Sequence, residues 1–258
     1  MSVWSTRRRI LYFAAVFLFF SVIFSVAYFT FLKESPSCFD GLKNQDEIDA
    51  DCGGRCKKVC ATEAAPLAKS WTRLFKVGDG QYEVAALIEN PNFALGVEEL
   101  DYTFRLYDAD GLFVAEKGGR AFVNSRDKFI IFESGLDTGK RIPVKAFVNF
   151  DSNMVWSRID PKISRIPISV LNQEFVEGPM PRLRAEVINN SIYDLVNIVI
   201  TAVVYNEDDN AVAASQTLVD NLKKGMTRGI SFTWPRPIST VHPRVEIYPR
   251  VNLLNGVE

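Results

Sequence analysis

The sequence holds one histidine, His242, in 258 residues. Imidazole-based metal centres and Ser-His or Cys-His nucleophile pairs need that base, so most of them are removed at once. His242 stands in STVHPRVEIYP, where it alternates into an expected strand beside a proline, and no serine or cysteine motif leads to it. Excess charge of either sign is also lacking. Lys and Arg number 30 against 31 Asp and Glu, a net charge of -1, so no cationic surplus is available to hold a nucleic-acid backbone. Cysteine is absent outside one stretch, Cys38 to Cys60, and no amphipathic helical period appears beyond it. The composition excludes conventional hydrolase chemistry and nucleic acid as a partner, and the chain reads as non-enzymatic.

What is present begins at the N-terminus. Arg7, Arg8 and Arg9 precede Ile10 to Leu32, a run of 23 residues without a charge, proline or glycine. At roughly 1.5 Å per residue a helix of this length crosses a hydrocarbon core of about 30 Å, and a helix satisfies its own backbone there. A cleavable signal is the competing reading, with SVA at Ser25 to Ala27 as its site. The apolar run continues through Leu32, however, past the roughly 7–15 residues such signals use. The expectation is an uncleaved anchor: a cytoplasmic stub over 1–9 and a transmembrane helix over 10–32. The arginine triplet stays inside by the positive-inside rule, Lys33 stands alone beside Glu34, and everything after residue 33 lies outside.

From Trp71 onward the dominant period is two. YEVAALIEN, ELDYTFRLYD, KRIPVKAFVNF, PRLRAEVINN, LVNIVITAVVYN and RGISFTW are rich in Val, Ile, Phe and Tyr and are separated by Gly, Asn, Asp and Pro. Many short strands at this spacing predict an all-β fold of antiparallel sandwich type. An internal repeat sets the domain count. Leu136–Asp160 lies without gaps over Leu222–Glu246 at an offset of 86, pairing Leu136 with Leu222 and Gly139 with Gly225. Upstream, LIENPN meets VINNSI and FRLYDADG meets AVVYNEDDN at an offset near 98 to 100, which predicts about a dozen extra residues near EKGGRAFVNSRDKFI in the first copy. Two tandem sandwiches follow, over 71–163 and 164–258, with the break near Lys162 to Arg165 and a linker over 61–70.

FRLYD at Phe104 to Asp108 resembles the signature of the FxLYD domain family, and the order of turns around it is similar. The second copy departs from the pattern with VVYN at Val203 to Asn206. The resemblance covers both copies and implies immunoglobulin-like sandwiches in a bacterial extracytoplasmic protein, with no chemistry assigned. The residues themselves read as structural. Alternation puts Phe104 and Leu106 on a core face with Arg105 and Tyr107 opposite, and Asp108 caps the DADG turn. Gly139 and Gly225 suit turn positions of positive φ, and Phe104, Phe147, Phe232 and Trp234 are expected in the core.

The cysteines follow C-x13-C-x3-C-x3-C over Cys38, Cys52, Cys56 and Cys60. Outside a membrane an even count in a segment too short to bury a core implies two disulfides, with three pairings open. A four-thiolate zinc site is the alternative. The loop between the first two cysteines is dense in oxygen donors: Asp40, Asn44, Asp46, Glu47, Asp49 and Asp51. The whole stretch resembles a small module of secreted and surface proteins, C-x-D-G-x-x-N-x-x-E-x-x-x-D-C-G-G-x-C. That resemblance implies a disulfide-stapled, calcium-binding unit, and the density of acids makes Asp40, Asn44, Glu47, Asp49 and Asp51 the expected ligands; a solvated acidic loop is the other reading. The combined expectation is a single-pass membrane protein whose two sandwiches serve protein interaction or envelope assembly. The alternative is a small apolar or lipid ligand held by the sandwiches.

Overall fold

A computed structural model describes residues 3–32, 37–160 and 168–255. The protein is all-β after one N-terminal helix. It falls into two compact units, Met1–Asp51 and Cys52–Glu258.

In the first unit, helix α1 spans Val3–Ala27 and closes in a π turn over Tyr28–Leu32. The stretch Arg7–Thr30 is long and apolar enough to cross a membrane, and its large side chains, such as Phe13, Phe17 and Phe24, are exposed all round. Helix formation extends back through Arg7, Arg8 and Arg9, so the triplet is helical too; arginine is a good helix former. Lys33 and Glu34 lie outside the described residues.

Among its described residues the second unit holds fourteen strands. The first sandwich uses β1 (Lys58–Val59), β2 (Ala68–Lys76), β3 (Gln81–Glu89), β4 (Leu95–Tyr107), β5 (Phe113–Val123), β6 (Lys128–Asp137), β7 (Lys145–Phe150) and β8 (Trp156–Arg158). One of its sheets has the order β2-β3-β6. The other is built on β4, with β5 on one side and the line of β7 and β8 on the other, and β1 outside β8. The second sandwich uses β9 (Ile168–Val176), β10 (Arg182–Asn189), β11 (Leu195–Tyr205), β12 (Ala211–Leu222), β13 (Thr227–Thr233) and β14 (Arg244–Arg250), in the sheets β13-β10-β9 and β12-β11-β14. Each interior is filled. Leu100, Tyr102, Phe104 and Leu106 of β4 meet Val84, Ala86, Ile88, Phe129 and Ile131, and Ile198, Ile200, Ala202 and Val204 of β11 meet Leu183, Val187 and Phe232.

Several boundaries differ from expectation. Residues 61–70 are no free linker: a short helical turn occupies Ala61–Glu63, Leu67 is buried, and β2 has begun by Ala68. The segment is fastened by Asn92, whose side chain accepts the Ala65 N–H and donates to the Ala65 carbonyl, both at 2.8 Å. The break expected near Lys162 to Arg165 lies outside the described residues.

The repeat itself has a different register. Glu89 and Asn189 end equivalent strands 100 residues apart, Phe113 and Ala211 begin them 98 apart, and Lys128 with Thr227 and Lys145 with Arg244 are each 99 apart. The offset of 86 is therefore overturned, along with the extra dozen residues. Leu136-x-x-Gly139 ends β6, whereas Leu222-x-x-Gly225 ends β12, which corresponds to β5. The two segments look alike because they solve one local problem: a buried leucine closes a strand and a glycine at φ of 58° or 69° turns the chain. The true internal marker is Asn90 with Asn189. The Asn90 Nδ2 donates to the carbonyls of Leu95 and Asn124 at 2.9 and 2.7 Å; the Asn189 Nδ2 donates to those of Tyr193 and Leu222 at 2.8 and 2.9 Å.

The two sandwiches are not beads on a string. Ala85 and Leu87 of β3 and Ile130 and Phe132 of β6 turn their outer face against Val203, Tyr205, Ala211 and Ala214 of β11 and β12. The middle two sheets are thus buried on both faces, giving a four-layer stack of sheets. At the edge of the contact the Arg250 guanidinium is buried between the rings of Phe122 and Phe129, donates to the Phe122 carbonyl at 2.6 Å, and pairs with Asp127 at 2.8 Å. Asn124 both donates to the Val251 carbonyl and accepts the Leu253 N–H.

Candidate functional site

The cysteine stretch is oxidised throughout, with Cys52 bonded to Cys60 and none of the four free. A thiolate zinc site is excluded, because a disulfide sulfur is not a thiolate. The acidic loop before it is organised by its own backbone. The Asp40 carboxylate accepts the N–H groups of Ser37 and Leu42 at 3.0 and 2.9 Å and the Asn44 amide at 2.8 Å. These bonds hold it below its usual pKa. Asp51 accepts the N–H groups of Asp40 and Gly41 at 2.9 Å each. Glu47, which is buried, accepts the Asn44 N–H at 3.0 Å, and Asp49 accepts that of Ala50 at 2.8 Å.

Of the five residues expected to ligate calcium, Asp40, Asn44, Glu47 and Asp51 are linked to one another by hydrogen bonds, whereas Asp49 bonds its neighbour Ala50. A calcium ion takes roughly six to eight oxygens, and a carboxylate offers about four lone-pair sites. Three N–H bonds on Asp40 and those on Asp51 occupy most of the lone-pair sites of these two carboxylates. One acceptor, the buried Asn44 Oδ1, has no donor, and one oxygen does not make a cage. As arranged, the Asp40 and Asp51 carboxylates are directed at amide hydrogens of the loop itself.

His242 lies in the loop before β14 and not in the strand. Its backbone N–H donates to Glu207 Oε1 at 3.1 Å and its side chain is exposed. Glu207 collects the Val241 N–H as well, and these bonds with its own backbone lower its pKa to about 2. This is a loop tether.

The Phe104–Asp108 signature is structural as read: Phe104 and Leu106 are fully buried, and Asp108 Oδ1 accepts the N–H groups of Asp110 and Leu112. Phe147 departs from expectation. It is 55% exposed, on the outer face of β7. Register explains this: in Lys145–Phe150 the odd positions are Lys, Phe and Asn, and the even positions Ala, Val and Phe supply the core. A strict period-two reading of that one strand finds the exposed face.

Phe147 belongs to a surface constellation that sequence reasoning missed. Its ring meets Tyr107 edge-on at 5.9 Å, and Tyr107 meets Phe113 at 6.2 Å. Leu112, Ile142 and Val144 add exposed apolar surface, tied in by the Val144 N–H to Tyr107 carbonyl bond and by Arg141 donating to the Phe113 carbonyl. Beside it runs a groove of about 700 Å³ between β7 and β2, lined by Lys69, Trp71, Tyr107, Lys145, Phe147 and Val148 among others, with no acidic residue. Trp71 stands edge-on to Tyr205 at 6.4 Å, so the groove adjoins the contact between the sandwiches. A second, smaller cleft of about 260 Å³ lies between the sandwiches and is lined by Phe75, Glu83, Trp234 and Arg236. Burial raises the Glu83 carboxyl there to about 7.

No protein-family model matches this sequence, and no curated protein matches it. Among solved structures, a Bacteroides uniformis beta-glucuronidase is 16% identical, with 70% of this chain and 25% of that chain covered and a TM-score of 0.26. Red sea bream transglutaminase is 11% identical, with 74% and 30% covered and a TM-score of 0.26. An Amycolatopsis orientalis exo-chitosanase is 12% identical, with 72% and 26% covered and the same score. This chain spans less than a third of the length of each, and similarity so distant does not bear on its chemistry.

Proposed function

We propose that this is a non-enzymatic, single-pass membrane protein that holds its paired sandwiches on the outer side of the membrane and works by recognising another protein through the groove beside β7. The observation that carries the reading is the exposed cluster of Phe113, Phe147, Leu112, Ile142 and Val144 around the half-buried Tyr107, on an otherwise alternating sheet. Contiguous apolar surface of this kind is costly to leave in water and marks interaction sites. The filled interiors of both sandwiches favour recognition at the surface over an apolar ligand held between sheets. The long N-terminal helix supplies the anchor, and the Arg7–Arg9 triplet keeps that end in the cytoplasm. The FxLYD resemblance and the oxidised cysteines fit an extracytoplasmic setting.

The test is a photo-crosslinking amino acid placed at Phe147 in the membrane-embedded full chain, with Val241, exposed at the far loop, as control. The expected result is a discrete adduct from position 147 alone, lost when Tyr107 is also changed to serine. No adduct, or equal adducts from both positions, overturns the reading.

A further inference from the structure

The sheet built on β4 ends in the line of β7 and β8, and the two halves of that outer edge are treated differently. Along β8 the edge already carries an added strand: β1 pairs antiparallel, Lys58 opposite Ser157 and Val59 opposite Trp156. Along β7 none of the described strands adds.

The direction of the backbone groups on β7 follows from two hydrogen bonds. The Asp151 N–H donates to the Asp101 carbonyl on β4 at 3.0 Å. The Val148 carbonyl, three residues earlier, is met from outside by Lys69 Nζ at 2.8 Å. Polar groups of alternate residues point to opposite sides of a strand, so those of Phe147 and Asn149 face β4, and those of Ala146 and Val148 face the groove. An open edge with outward N–H and C=O groups is a template for another strand. Lys69, whose ammonium also sits 5.0 Å from the centre of the Phe150 ring, covers one of these carbonyls on a flexible stem.

From this geometry we infer that β7 is a strand acceptor: an extended segment of a partner protein, apolar at alternate positions and carrying acidic side chains, adds along the open edge of β7 that faces away from β4. The inference rests on the recognition role proposed above and specifies its mode. Main-chain bonds to Ala146 and Val148 supply the pairing, and Trp71, Tyr107 and Phe147 receive alternate side chains. Lys69, displaced from Val148, and Lys145 pair with the acids, in a groove whose lining has two lysines and no carboxylate. The occupied half of the same edge shows that a strand fits beside this sheet.

The probe is a fluorescent peptide alternating valine and threonine with a glutamate at each end, titrated by anisotropy against the full chain in nanodiscs. Saturable binding is expected. N-methylation at alternate residues, which removes the donors along one peptide edge, is expected to weaken it by roughly tenfold for each bond lost. Ala146→Pro is expected to abolish binding while the β4–β7 ladder persists, because the N–H removed points outward and proline is tolerated on such an edge. Lys145→Glu, a surface change that leaves folding aside, is expected to weaken the glutamate-ended peptide and strengthen a lysine-ended one. Absence of saturable binding, equal affinity of the N-methylated peptide, or indifference to Lys145→Glu each overturns strand addition. A position-147 adduct obtained alongside any of these leaves protein recognition standing and removes only its mode.

Discussion

Asn189 offers the sharpest test of how the sandwiches are held. Its side chain is fully buried at the end of β10. The amide donates to the carbonyls of Tyr193 and Leu222, and its oxygen accepts the N–H and the hydroxyl of Ser191. It thereby clamps the turn into β11 to the turn out of β12, beside the backbone bonds that Asn189 exchanges with Gly225 and Met226. Asn189→Ala removes these bonds and leaves buried carbonyls without donors. At about 1 kcal/mol net for each of three bonds to the backbone, the loss is about 3 kcal/mol. For a unit of this size that is a fall in Tm of about 6–12 °C. Asn189→Asp keeps the shape but sets a carboxylate against two carbonyl oxygens, which raises its folded-state pKa above the unfolded value. A group shifted in that sense penalises the fold as pH rises, so the variant is expected to approach the stability of the parent near pH 3 and to fall below the alanine variant near pH 7. Thermal and urea unfolding followed by circular dichroism measure both, with Asn190→Ala as the control. Asn190 is an exposed neighbour bonded only to Ser169, and its removal is expected to stay within about 0.5 kcal/mol. A loss under about 0.5 kcal/mol for Asn189→Ala, or a pH-independent Asn189→Asp, refutes the clamp.

Other consequences follow from the same coordinates. Arg250→Ala strands Asp127 at the contact between sandwiches and is expected to cost about 3–5 kcal/mol, with Arg250→Ala/Asp127→Asn recovering part of it; a double-mutant cycle in urea reads the coupling. Glu83, raised to about 7 by burial, binds its proton more tightly folded than unfolded. Stability is then fully present below the ordinary carboxyl range and lost as pH rises toward 7, and Glu83→Gln is expected to flatten the Tm profile over that window. If the Asp40–Asp51 loop is held by amide bonds and not by an ion, a calcium chelator leaves hydrogen exchange of the Gly41 N–H unchanged, whereas Asp51→Asn speeds it; faster exchange on chelation alone contradicts the amide account. Protease added outside sealed cells or inverted vesicles is expected to release residues after 37 only in the former, which tests the proposed orientation.

The FRLYD segment shows what is legible from sequence alone. Alternation assigns Phe104 and Leu106 to one face, and the chemistry of aspartate and glycine assigns the turn that follows; both are properties of a few adjacent residues and survive in the fold. The N-terminal helix is equally local, since 23 uncharged residues set its apolar character whatever surrounds them, although it begins upstream of them at Val3. The L-x-x-G pair fails for the same reason that the turns succeed. One local solution recurs at two non-equivalent places, so local likeness misplaces the repeat, while the buried Asn90 and Asn189 mark it correctly through contacts made across the sheets.

Tertiary structure decided which surfaces are covered. In YEVAALIEN and LVNIVITAVVYN the apolar residues occupy both faces, and this is the mark of strands buried on two sides; the sequence holds that fact, but not that each strand's second face is covered by the other's sheet. Phe147 is the reverse case, an aromatic whose face nothing covers. A period of two states which side chains share a face, and the identity of the opposing surface, protein or water, is set by residues a hundred positions away.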